Sequence, residues 1–311
     1  MRRCLIAAWM LGSALSASAA TQVVVVSGLG GEPQYEERFG KWSEQVAKAS
    51  ASVTTGDPAQ VKRLSGDQAR RENIEAALRA AAQSAHAGDH FVLVLLGHGS
   101  FDGTDYRFNI PGEDITGAGL KALLDRFPEG VIQLVVDATS SSGAMADLLA
   151  SPRRLVIAAT KSGERNASRF GGYWAEALNS SDADKDKDGS ISVQEAYDYA
   201  NRKVGESFKS DASIATEHAR IVGDDAGRFV VSRLGTAALF ANDTQLAAMR
   251  TQQDGIEQRI DLLRTQKTTL AEDDYYGKLE PVLLEMARLG QRIDARLAQL
   301  GMPAGVGNGK P

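Results

Sequence analysis

Four short apolar runs constrain the fold more than any other feature of this chain. Each is rich in Val, Leu and Ile and is apolar at nearly every position, instead of alternating between apolar and polar residues. Strands that are buried on both faces of a parallel sheet have this pattern. The runs are residues 23–26, 91–96, 131–136 and 155–159.

Helical patterns lie between these runs, at residues 35–49, 68–85 and 116–127, where apolar residues recur every three or four positions. Alternation of strands and helices is typical of an α/β domain with a mostly parallel sheet flanked by helices. We assign this domain to residues 21–235. Ligands of such sheets bind at the carboxyl ends of the strands.

Polar loops follow three of the predicted strands, at residues 27–31, 97–100 and 137–143. The first is a glycine turn, but Pro33 stands where a dinucleotide-binding fingerprint has glycine. No nucleotide cofactor is therefore predicted. The second loop contains His98, and the third contains a run of hydroxyl side chains.

Residues 184–195 match a calcium-binding loop of the EF-hand type. Asp184, Asp186 and Asp188 occupy loop positions one, three and five, and Glu195 occupies position twelve. Calcium takes six to eight oxygen ligands, which three aspartates and a bidentate glutamate help to supply.

Two further positions of the loop fit the same pattern. Gly189 stands at position six, where the chain turns sharply, and Ser190 at position seven offers its backbone carbonyl. The sequence therefore predicts Ca²⁺ as a cofactor. The alternative is a solvated acidic turn followed by a helix capping box that joins Ser192 to Glu195.

The first 20 residues are typical of a secretory signal peptide. Arg2 and Arg3 precede a mostly apolar stretch, residues 4–15, and small residues follow at 17–19. We expect an exported protein, periplasmic or extracellular; an uncleaved anchor is the alternative, although the stretch is short for a membrane span. Cys4 is the only cysteine, so cleavage would leave no thiol.

Apolar residues at three-and-four spacing return in residues 242–300, where a polar stretch at residues 271–277 divides them into two runs. We predict an antiparallel helical hairpin, similar to a coiled coil, with Pro281 in the first turn of its second helix. The hairpin either packs on the α/β domain or pairs with another chain. Residues 301–311 are predicted to be a disordered tail.

Nucleic acid is not an expected partner, because the chain carries a net charge of −5 and has no run of basic residues.

Three segments, each beginning in a predicted strand, resemble the legumain-type cysteine peptidases, relatives of the caspases. Residues 92–100 resemble the strand that ends in the catalytic His-Gly of that family. Residues 134–138, followed by Ser142 and Gly143, resemble the strand that carries the nucleophile. Residues 157–168 are similar to the segment that shapes the specificity pocket. The resemblance implies a caspase-like fold in which His98 and the Gly99 amide serve catalysis.

The chain departs from this family at the nucleophile. Thr139, Ser140 and Ser141 stand where the cysteine is expected, one residue longer than the family pattern, so that either Thr139 or Ser140 takes its place. A hydroxyl nucleophile needs a base in direct hydrogen-bond contact, which this family does not provide. We therefore predict an inactive relative that binds a peptide or protein segment. The alternatives are an active hydrolase that uses one of these hydroxyls with His98, and a structural scaffold of the cell envelope.

Overall fold

The computed structural model describes residues 19–54, 57–267 and 270–302. Of the predicted signal peptide only Ala19 and Ala20 are among them, and of the predicted tail only Gly301 and Met302. The strands are β1 (Thr21–Ser27), β2 (Val61–Leu64), β3 (His90–Leu96), β4 (Gly99–Phe101), β5 (Tyr106–Phe108), β6 (Ile115–Thr116), β7 (Ile132–Ala138), β8 (Arg154–Ala158), β9 (Ser190–Ser192), β10 (Arg220–Val222) and β11 (Val230–Arg233).

Helices flank the strands in alternation with them. They are α1 (Pro33–Ser50), α2 (Arg71–Ser84), α3 (Gly117–Leu124), α4 (Gly143–Leu149), α5 (Phe170–Ala177), α6 (Val193–Ser210), α7 (Gly235–Asn242), α8 (Thr244–Gln266) and α9 (Glu272–Gln299). Within the described residues, no helix is long and apolar enough to cross a membrane.

The central sheet has six strands in the order β10-β8-β7-β3-β1-β2. Five of them run parallel, and β10 pairs antiparallel with β8 at one edge. The four predicted strands form its four central positions, and the prediction of a mixed α/β fold with a mostly parallel sheet flanked by helices is confirmed.

The sheet is covered on both faces, which explains the continuous apolar runs. Val23 and Val25 pack into the cluster beneath α1, α5 and α6, whereas Val24 and Val26 pack into the cluster beneath α2, α3 and α4. Because neighbouring side chains of a strand point to opposite faces, every position of β1 must be apolar.

The strand order reverses between β1 and β3. From β1 the chain adds β2 on one side, and it then adds β3 and β7 on the other. The loops that leave β1 and β3 therefore diverge at the carboxyl edge of the sheet, which is where α/β proteins form ligand-binding crevices.

Helices α8 and α9 lie antiparallel and share an apolar cluster that includes Leu246, Ile256 and Leu289. Arg259 pairs with Glu285 at 2.8 Å, and Arg296 pairs with Asp243 at 2.6 Å.

The second helix of this pair begins earlier than expected. It starts at Glu272, so Pro281 lies inside the helix and not in its first turn, as the sequence had suggested. Three acidic residues in the first turn, at 272–274, favour this earlier start because they interact well with the amino-terminal end of the helix dipole.

A chain that ends at Ala241 is expected to unfold cooperatively and to keep the calcium binding that the sequence predicts for residues 184–195. The apolar cluster of α8 and α9 is separate from the two clusters that cover the sheet. Calorimetry and size-exclusion chromatography of the shortened chain measure its unfolding and its oligomeric state. Loss of the cooperative transition would show that the hairpin belongs to the core.

Candidate functional site

The histidine and the hydroxyl run predicted from the sequence meet at one edge of the sheet. Strands β3 and β7 are parallel neighbours in which Leu96 pairs with Ala138. His98 follows β3 by two residues, and Thr139 follows β7 directly. The two loops therefore lie side by side beyond the carboxyl ends of these strands.

The imidazole of His98 packs against helix α1. Its ring centroid lies 4.9 Å from that of Tyr35 and 5.1 Å from that of Phe39, in edge-on geometry. Both aromatic residues belong to the first two turns of α1, so the ring is held in an aromatic pocket.

Burial is the largest influence on His98 and lowers its pKa, whereas a hydrogen bond to the Gly30 backbone and the charges of Glu32 and Glu36 act in the opposite direction. The ring is therefore mainly neutral at pH 7. Across the described chain, no hydrogen bond joins His98 to residues 139–141.

Thr139 is fully buried and its hydroxyl is held in place. The Oγ1 atom donates to Oδ1 of Asp137 at 2.7 Å and lies 2.7 Å from the hydroxyl of Tyr106. The Tyr106 hydroxyl also donates to Asp137 Oδ1 at 3.2 Å. These three side chains form a polar cluster within the apolar core of the sheet.

Asp137 carries an unusual carboxyl group. Burial raises its pKa to about 7, although the hydrogen bonds from Thr139 and Tyr106 act in the opposite direction. Its Oδ2 atom is buried and has no hydrogen-bond partner among the described residues. A protonated oxygen at this position would avoid the cost of an isolated charge in the core.

Ser140 links the loop that follows β7 to the loop that follows β3 through hydrogen bonds. Its Oγ atom donates to the carbonyl of Gly99 at 2.8 Å and accepts from the Gly99 amide at 3.1 Å. A Cβ atom on residue 99 would lie 2.4 Å from the Ser140 carbonyl oxygen, so this approach requires glycine. The amide that the resemblance assigns to an oxyanion is therefore occupied by Ser140.

Ser141 and Ser142 complete the turn that leads into α4. Ser141 has a φ of +58°, in the left-handed region, and its amide donates to the carbonyl of Glu164 at 2.8 Å. The Ser142 hydroxyl lies 3.0 Å from that of Thr160. The hydroxyl run is buried, and every member has a hydrogen-bond partner.

The structure brings the three predicted aspartate ligands together. Carboxylate oxygens of Asp184, Asp186 and Asp188 lie within 4.8 Å of one another, a spacing that could hold a metal ion. Gly189 has a φ of +81°, a conformation that favours glycine and turns the loop sharply.

Asp184 has the feature that most favours a metal ion at this cluster. It is only 6% exposed, and its Oδ1 atom is buried with no hydrogen-bond partner among the described residues. Its Oδ2 atom accepts from the Gly189 amide at 3.1 Å. Buried carboxylate oxygens rarely lack a partner, and a metal ion would supply one.

Glu195 is not part of this cluster. Its carboxylate accepts hydrogen bonds from the amides of Lys185 and Ser192, both at 2.9 Å, and completes the capping box of α6. Burial raises the pKa of Glu195, but these hydrogen bonds outweigh that effect and hold it below its ordinary value. Glu195 would have to turn towards the aspartates to bind the same ion.

A strand of the α/β domain pairs with the loop. Strand β9 contains Ser190, whose amide donates to Asp188 at 2.6 Å, and the fully buried Ile191. It pairs antiparallel with β11, in the register Ile191 to Ser232 and Ser190 to Arg233. The loop is therefore tied to the core near its predicted ligands.

No family model matches the chain, and no curated protein matches it. Among solved structures, protein GSU0716 from Geobacter sulfurreducens is 16% identical, with a TM-score of 0.47, and the match covers 69% of this chain and 97% of that chain. Caspase-1 from Spodoptera frugiperda is 12% identical, with a TM-score of 0.46, and the match covers 66% of this chain and 87% of that chain. Scores below 0.5 at such identity do not by themselves establish a common fold.

Proposed function

We propose that this protein is an exported, calcium-binding relative of the legumain-type peptidases, with a caspase-like fold, that binds peptide or protein segments without cleaving them. The observation that best supports a loss of peptidase activity is that the Ser140 hydroxyl is hydrogen-bonded to both the amide and the carbonyl group of Gly99. The Gly99 amide is then not free to stabilise an oxyanion, which needs an unoccupied donor aimed at the reacting carbonyl.

The histidine geometry supports the same conclusion. A general base must lie within hydrogen-bond reach of the hydroxyl that it activates. His98 instead packs on Tyr35 and Phe39 and is not hydrogen-bonded to the hydroxyl run in the part of the chain that is described. Because α/β sheets bind ligands where the strand order reverses, we place the bound peptide at the carboxyl ends of β1 and β3.

Calcium binding is supported by the donor set of the loop. Asp184, Asp186 and Asp188 would hold the ion, together with the Ser190 carbonyl and Glu195. Bound calcium would neutralise the aspartates and brace the turn that leads into α6. Lys185 and Lys187 lie between the aspartates and reduce the negative field, so we propose a modest affinity suited to an extracytoplasmic compartment.

The alternative of an active hydrolase has one observation in its favour. The Thr139 hydroxyl donates to a carboxyl group whose pKa is near 7, at 2.7 Å. However, Thr139 is 0% exposed, and its oxygen also contacts the Tyr106 hydroxyl. A peptide carbonyl cannot reach this atom without displacement of the surrounding core.

We expect no cleavage of peptide substrates by the calcium-loaded protein, including peptides with Asn or Asp before the scissile bond. A peptide library scored for both binding and cleavage measures the two activities together, and bound but intact peptides are the expected result. Turnover by the unmodified protein that is lost on His98→Ala would overturn the proposal in favour of a hydroxyl nucleophile.

Cysteine substitutions test whether the remaining site is that of a peptidase. Ser140→Cys is expected to react slowly with a thiol-directed peptide probe, and His98→Ala in the same chain to abolish the reaction. Thr139→Cys is expected not to react, because position 139 is 0% exposed. Ser100→Cys is the matched control: it places a thiol at an exposed position of the neighbouring loop, where labelling should not depend on His98.

A further inference from the structure

A long groove lies between helices α1 and α5, apart from both sites described above. Its volume is about 1060 Å³. One wall is a face of α1 that carries Arg38, Lys41 and Lys48, and the other is formed by α5 and the chain that follows it. These three cations are exposed, in a protein whose net charge is −5.

The groove is unusual because its cations on α1 are not neutralised. In the described ranges, no carboxylate lies within 4.0 Å of the charged nitrogens of Arg38, Lys41 or Lys48. Glu37 and Glu44 stand one helical turn before the two lysines, but neither forms an ion pair with them nor lines the groove.

Two other charged residues of the groove already have partners. Arg169 pairs with Asp211 at 2.6 Å, and Glu176 lies 3.4 Å from the ammonium group of Lys203. The positive charge left for a ligand therefore comes from α1.

An aromatic side chain lies among the free cations. Trp42 lines the groove, and the Arg38 guanidinium lies 5.9 Å from its ring centroid. The indole rests on α5 at Gly172, where a Cβ atom would lie 2.7 Å from the ring. Tryptophan and arginine are over-represented among the residues that dominate binding energy at interfaces.

We propose that this groove binds an acidic peptide segment of about four residues in an extended conformation. Arg38 and Lys48 are ten residues apart on one helix, which corresponds to about 15 Å along its axis. Four residues of extended chain span a similar distance, at about 3.3 Å per residue. Cations spread over this length match several spaced carboxylates better than one compact anion.

The same charges argue against nucleic acid. A long polyanion would extend beyond the groove and meet a surface of net negative charge. The groove is not lined by His98, by residues 139–142 or by residues 184–195. Calcium is kept saturating in every measurement, so that no difference in peptide binding arises from a change in calcium occupancy.

Fluorescence anisotropy of a labelled Asp-Glu-Asp-Glu peptide tests the proposal, with Asn-Gln-Asn-Gln as the neutral counterpart. Lys41→Gln combined with Lys48→Gln is expected to weaken binding of the acidic peptide about tenfold, because two exposed ion pairs with the peptide are lost and each contributes modestly. The matched control is Lys62→Gln with Lys278→Gln, which removes the same charge from exposed positions outside the groove and should leave binding unchanged.

Nuclear magnetic resonance locates the peptide independently of these variants. Titration should shift the indole N–H signal of Trp42 and leave that of the buried Trp174 unchanged. Equal binding of the neutral peptide, equal losses in both double variants, or an unmoved Trp42 signal would each overturn the proposal. An oligonucleotide that binds more tightly than the acidic peptide would assign the groove to nucleic acid instead and would also overturn it.

Discussion

Calcium at a hundredfold excess over its dissociation constant should raise the melting temperature by about 5 to 10 °C. A ligand that binds only the folded state adds about 2.7 kcal/mol at this excess, and a domain of this size gains about 2 to 4 °C per kcal/mol. The buried and unpartnered Oδ1 atom of Asp184 gives the physical reason, because calcium would supply the partner that this oxygen lacks.

The substitution Glu195→Gln separates calcium binding from the stability of the loop itself. Glutamine can still accept from the Ser192 amide in the capping box, but it loses the hydrogen bond from the Lys185 amide. The calcium-free variant should therefore melt slightly below the unmodified protein. It loses the charged bidentate ligand at loop position twelve, and most of the calcium-induced shift should disappear.

Glu37→Gln is the matched control, because it removes one exposed carboxylate from α1 and should leave the shift intact. Differential scanning calorimetry with calcium and with a chelator measures each variant. Identical curves for the unmodified protein under the two conditions would contradict calcium binding.

The central strands could be predicted from the sequence because they are buried on both faces. The edge strands could not be predicted in the same way. Strand β2 has the sequence Val-Lys-Arg-Leu with two exposed positions, and β10 has only three residues, all partly exposed. An edge strand buries little apolar surface, so its sequence lacks the continuous pattern that marks a central strand.

The aspartate cluster of residues 184–188 and the site formed by His98 and residues 139–142 differ in how far apart in the sequence their contacting residues lie. The three aspartates lie within five residues, so a sequence pattern is enough to bring them together. At the strand edge, Tyr106 reaches Asp137 across 31 residues, and Ser140 reaches Gly99 across 41. These contacts depend on the pairing of strands and loops, which no local pattern specifies.

The groove was not predicted for a similar reason. Its cations lie on one face of α1, a spacing that is visible in the sequence but equally typical of a solvated helix face. Only the packing of Trp42 against the glycines of α5 shows that this face borders a concave surface.

Asp137 should make the protein less stable as the pH rises. Its pKa is about 7 in the folded state, against an ordinary value of 3.8, so the folded protein binds this proton more tightly than the unfolded chain does. The contribution to stability is fully present below about pH 4 and is lost as the pH rises to about 7. Three pKa units correspond to about 4 kcal/mol in the free energy of unfolding.

Asp137→Asn should remove this dependence. At pH 5 the variant should match the unmodified protein or be slightly less stable, since the buried amide would lack a partner where Oδ2 now lies. At pH 8 it should be more stable by about 1 to 3 kcal/mol, because the core no longer holds a charge.

Urea unfolding at the two pH values, with calcium present throughout, measures the difference. The control Asp224→Asn changes the same charge at an exposed position and should follow the unmodified protein at both. If Asp137→Asn also runs parallel to the unmodified protein between pH 5 and 8, the carboxyl group is not protonated in the folded core, and another group must satisfy its Oδ2 atom.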